Sequence, residues 1–145
     1  MRTLYLLLIG LAQVSANPLV EAGKKRLKHR VVYDGAYQTI AYPMGDVSPN
    51  KGVCTDVIIR AYRSLGVDLQ ELVHKDMSAH FDAYPNHWGL SQPDTNIDHR
   101  RVPNLETFFQ RHGTTLAVSS DPEDYHPGDL VTWRLTGSGL PHIGI

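Results

Sequence analysis

Gly52-Val53-Cys54-Thr55-Asp56-Val57-Ile58-Ile59-Arg60-Ala61-Tyr62-Arg63 carries the strongest periodic signal in the chain. Cys54, Val57, Ile58, Ala61, Tyr62 and Leu65 recur at i, i+3, i+4, i+7, i+8 and i+11, one continuous helical stripe. The spacing predicts a helix that opens at Cys54, turns that stripe inward and stops at Gly66. Upstream, Gly45 to Gly52 reads as a turn-rich loop, and Tyr33 to Met44, rich in Tyr and Pro, as extended chain. Leu19 to Val32 has a patchy helical pattern with a basic face, read as solvated.

Downstream, Asp68 and Glu71 resemble an acidic capping box. They open a second helix with Leu69, Leu72, Val73, Met77 and Phe81 inward. Pro85, Pro93 and Pro103 make Tyr84 to Pro103 a long loop. Asn104 is the expected cap of a third helix whose Leu105, Phe108 and Phe109 face the core, closed by Gly113. Thr115 to Val118 reads as a short strand and Pro127-Gly128 as a turn. Leu130 to Leu135 and Leu140 to Ile145 read as strands joined through Thr136 to Gly139, with Trp133 in the core. Helices come first and an antiparallel sheet follows, so the fold class is α+β.

Composition agrees with one domain. The 145 residues are 41% hydrophobic, 20% charged and 8% aromatic, which excludes a fibre or a disordered tail. Fourteen Lys and Arg against fifteen Asp and Glu give a net charge of −1, so no overall basic excess attracts nucleic acid. The longest apolar run, Leu4 to Leu11, falls far short of the ~20 residues of a membrane span. Arg2, that apolar core and Val14-Ser15-Ala16 instead have the layout of an export signal cleaved after Ala16. The expected mature chain is one domain, residues 17–145, periplasmic or secreted. A lone cysteine in that setting is either buried or used.

Cys54 at a helix start and His142 on a later strand are the candidate catalytic pair. Helix-start amides favour a thiolate and can bind an oxyanion, and an imidazole can carry the proton. Taken alone, a single cysteine on a helical stripe is more often a small packed core residue. In Asp94-Thr95-Asn96-Ile97-Asp98-His99-Arg100-Arg101 a calcium loop fails, because His99 and Leu105 stand where a turn Gly and a bidentate Glu are needed. Zinc needs about three nitrogen or sulfur ligands close in space, and no His-x-x-x-His pair on a helix offers them. The loop is read as locked by Asp–Arg pairs, or as lining the cleft with Arg100 or Arg101 gripping a substrate carboxylate. Asp56 and Trp88 join these two as candidate substrate-binding residues, and His99 and Asp98 are reserve orienting residues. Tyr33, Tyr37, Tyr42, Tyr84 and Trp88 either line a stacking cleft or pack under loops. No cofactor or metal is expected.

The runs Gly52 to Arg63, Pro93 to Leu105, Pro127 to Trp133 and Pro141-His142-Ile143-Gly144-Ile145 resemble, in order, the bacterial family catalogued as domain of unknown function 1287. That family is similar in outline to NlpC-type papain-like cysteine peptidases. The resemblance implies N-terminal helices on a small antiparallel sheet, Cys54 as nucleophile and His142 as base. It also implies hydrolysis of an amide or peptide bond, with peptidoglycan peptides as substrate. A third polar residue usually orients the imidazole from a later strand. The chain stops three residues after His142, so a C-terminally truncated domain is expected. Two other readings stand beside this one: a catalytically silent extracytoplasmic binding module, and a metal-dependent hydrolase built on His99 and the Asp residues.

Overall fold

The computed structural model describes residues 16–145. The expected export segment lies outside them except for Ala16. The described chain is a mixed α+β fold of four helices and two small two-stranded sheets. Helix α1 (Pro18–Lys24) is capped by Asn17, whose side chain accepts from Leu19 and Val20, and it runs into a 3-10 turn at Lys25–Lys28. Strands β1 (Val32–Tyr33) and β2 (Lys51–Gly52) pair in parallel. Helices α2 (Cys54–Ser64) and α3 (Leu69–Ala79) follow, then a 3-10 turn at Asp98–Arg100 and helix α4 (Val102–His112). Strands β3 (Val131–Arg134) and β4 (Pro141–Gly144) form an antiparallel hairpin in which Trp133 lies opposite His142. No described helix is long and apolar enough to cross a membrane.

The core gathers Ile58 and Ile59 of α2, Leu69, Val73 and Met77 of α3, Val102, Leu105 and Phe108 of α4, Tyr84 and Ile143. Helix α2 is central: α1, α3, the Asp98–Arg100 turn and β4 all pack on it. That crowding corrects the expected stripe. Val57 and Leu65 face solvent, while Thr55, Asp56 and Ile59 are buried. A helix covered on several sides buries more than one stripe, including polar residues that find partners.

Similar corrections apply elsewhere. Asp68 does cap α3 by accepting from the Gln70 amide, but Glu71 pairs with Lys75 instead of reaching back. Leu72 is exposed and Gln70 is buried. The Gln70 amide accepts from Gly45 N at 2.8 Å and donates to Ala41 O and Thr95 O, which satisfies its polar groups. Asn104 is not the cap of α4. The helix starts two residues earlier, and Asn104 sits buried in its first turn, donating to Asp98 O. Gly113 closes it by donating to Phe109 O.

Residues 115–118 form no strand; Leu116 and Val118 are exposed, and no described strand pairs with them. Trp133, expected in the core, is 42% exposed. It shares its face with His142, while Ile143 points the other way into the core. On that face Trp133 and Val131 stay exposed.

Candidate active site

Cys54 is the first residue of α2 and is half-buried, with its thiol free. Its position follows from how the helix start is held. The Asp56 carboxylate, in the first turn, folds back to accept the Val53 amide at 2.7 Å. The same carboxylate takes a two-bond fork from Arg100, Nε to Oδ1 at 2.9 Å and Nη2 to Oδ2 at 3.0 Å. Both side chains are almost completely buried. Thr55 adds a third tie, its hydroxyl donating to Arg100 O at 3.0 Å. A carboxylate at a helix start interacts favourably with the dipole, and the guanidinium neutralises it. The first turn therefore carries no uncompensated negative charge beside the sulfur.

A second arginine holds the loop before Cys54. Arg60, one and a half turns along α2, grips Asp46 through Nε and Nη2 at 2.8 and 3.0 Å. It also donates to the carbonyls of Val47, Ser48 and Lys51. One planar fork with five donors thus gathers the chain leading into β2. Gly52 is required there, since a Cβ would lie 2.9 Å from Asp56 Oδ2.

Tyr33, on β1, stands within electrostatic reach of Cys54 and Asp56. Burial of its hydroxyl, then those two neighbours, raise its pKa. His142 comes in on β4, which packs against α2. Its ring lies 4.9 Å from that of Trp133. Its Nδ1 is buried and has no hydrogen-bond partner, Cys54 included.

The Asp94–Arg101 segment does lock itself. Asp98 accepts from Asp94 N at 2.5 Å and pairs with Arg101 at 3.2 Å. Burial raises the Asp98 carboxyl and draws His99, only 2% exposed, down to about 4. His99 is a neutral interior imidazole. Arg100 faces inward; its Nη1 is buried without a partner, so no substrate carboxylate reaches it in this arrangement. Arg101 stacks over Trp88 at 3.9 Å. Those two, with Asp98 and Asn104, line a small cavity that neither Cys54 nor His142 borders. The five aromatics do not gather in one cleft. Tyr37 bonds Asp94 and Asn96, Tyr42 meets His74 edge-on, and Tyr84 is buried with its hydroxyl on Asp76.

Sequence reasoning thus brought Cys54, Asp56 and Arg100 into view but missed Tyr33 as the strand partner of Gly52, Arg60 as the loop anchor and Trp133 as the ring neighbour of His142. Only Arg60 had a readable signal, a cation on the helix that follows a loop containing Asp46.

Residues 20–145 match the family described as domain of unknown function (DUF1287). The chain belongs to this family. It is 51% identical over 136 residues to the uncharacterized protein YijF of Escherichia coli (strain K12), an alignment covering 92% of this chain and 66% of that one. The chain thus spans just under two thirds of that relative's length. No solved structure matches. Three of the four motif runs that carry the resemblance meet around α2 in this DUF1287 chain: the helix itself, the Asp98–Arg100 turn through Arg100, and β4.

Proposed function

We propose that this DUF1287 chain carries the site of an exported, papain-like cysteine hydrolase that cleaves an amide or peptide bond, with cell-wall peptides as substrate class. The observation that carries the reading is Cys54 as the first residue of α2, its turn anchored by Asp56 and Arg100, with β4, the strand that carries His142, packed on the same helix. In this scheme the His142 imidazole takes the thiol proton and the thiolate attacks the carbonyl carbon. The Cys54 and Thr55 amides, which open α2 ahead of its hydrogen-bond ladder, stabilise the oxyanion. The imidazole returns the proton to the leaving amine, leaving a thioester on Cys54. Water, deprotonated by the same imidazole, then releases the acid. Export places the enzyme beside its substrate and rests on the layout of residues 1–16.

The test incubates the chain, and separately the full-length relative, with purified peptidoglycan stem peptides and follows products by mass spectrometry. Cleavage that disappears in Cys54→Ala and His142→Ala, with both variants still folded, supports the proposal. Cleavage unchanged by Cys54→Ala refutes it. A Cys54 thiol that iodoacetamide reaches only after unfolding also refutes it.

A further inference from the structure

The segment between α1 and β1 is Lys24-Lys25-Arg26-Leu27-Lys28-His29-Arg30, which holds five of the chain's 14 lysines and arginines in seven residues. Lys24 pairs with Glu21, and Arg26 donates to Pro49 O. Lys25, Lys28 and Arg30 are exposed and form no ion pair among the described residues. Lys25 and Lys28 bound a 3-10 turn, where residues three apart project to one side. Between these cations Leu27 is 85% exposed, and Val31, Val32 and Tyr33 continue the apolar surface. A leucine so exposed gains nothing from water, and here it stands among unpaired positive charges.

We infer that this segment is a docking surface for an anionic phospholipid bilayer. Cations held near an anionic leaflet each contribute to binding, and an apolar side chain among them enters the headgroup boundary. Charge complementarity selects this occupant. The chain as a whole has a net charge of −1, so attraction to a negative surface has to be local to the patch. Because Tyr33 both ends the patch and pairs with Gly52, two residues before Cys54, docking would set the mouth of the candidate site at the membrane surface. The inference does not depend on the hydrolase reading.

The experiment is co-sedimentation of the chain with phosphatidylglycerol–phosphatidylcholine vesicles and with pure phosphatidylcholine vesicles. Binding is expected only to the first and weakens as salt rises. The triple variant Lys25→Gln/Lys28→Gln/Arg30→Gln loses roughly fivefold in partitioning for each charge removed. Leu27→Ser weakens binding at unchanged charge. Circular dichroism keeps the helix content of both variants in view, and exposed positions leave it unaltered. Equal binding to neutral vesicles would assign the affinity to the apolar N-terminal run and overturn the inference. Unchanged binding by the triple variant, or tighter binding to a single-stranded oligonucleotide than to the anionic vesicles, would overturn it too.

Discussion

Arg100 clamps Asp56 with two parallel hydrogen bonds inside the protein, across 44 positions of sequence. Asp56 lies two residues after the only cysteine, so this pair joins the 3-10 turn before α4 to the first turn of α2. Buried pairs of this kind hold position at considerable risk, since losing one partner strands the other charge. Arg100→Ala or Asp56→Ala is expected to cost about 3–5 kcal/mol in urea unfolding. Arg100→Lys supplies a point charge without the fork and should fall between the wild type and Arg100→Ala. Losses below about 1 kcal/mol, as for an exposed pair, would show that the clamp does not hold the turn.

Gly52→Ala tests the same region sterically. The added methyl would stand 2.9 Å from Asp56 Oδ2 and 3.1 Å from its Cβ. The carboxylate must then move off Val53 N or Arg100. A destabilisation of about 1–3 kcal/mol is expected. If the thermal midpoint stays put, the close approach is not real.

His99 gives the protein an acid-sensitive term. Its imidazole titrates near 6.5 when unfolded and about 4 when folded, because burial disfavours the charged form. Between those values the unfolded chain holds the extra proton, so stability is full above about pH 6.5 and falls as pH drops toward 4. The whole effect is on the order of 3 kcal/mol. Denaturation curves across that window should show the fall, and His99→Gln should flatten it. Asp76, held below the usual carboxylate range chiefly by Arg111, loses its contribution only in more acidic solution. The two effects therefore separate along the pH axis.

Gln70→Leu removes an amide that three backbone groups use, Gly45 N, Ala41 O and Thr95 O. Each orphaned buried group costs about 1–3 kcal/mol. Hydrogen exchange at the Gly45 amide should accelerate with the loss of stability. Protection equal to wild type would mean that the loop is held by something else.

The helices were legible because their signals are local. Asp68 caps α3, Gly113 closes α4, and apolar periodicity marks all three long helices. The errors fall where a distant element decides burial. Val57 and Leu65 share a stripe with Cys54, yet the side of α2 that is buried depends on what packs there. Trp133 alternates correctly along β3, but alternation cannot say whether a second layer covers that face. Asn104 has the chemistry of a cap, but its partner, the Asp98 carbonyl, draws it inside the first turn.

By itself the amino-acid order determined where the three long helices lie, the turn before Cys54, the family and the α+β class. All of these rest on contacts spanning a few residues or on motif order. Tertiary structure alone decided that Asp56 answers Arg100, that Arg60 gathers the Asp46–Lys51 loop, and that His142 lies beside Trp133 on a strand packed against α2. Each of those depends on loop closure and on which charges lose their water together. Residue spacing carries no information about either.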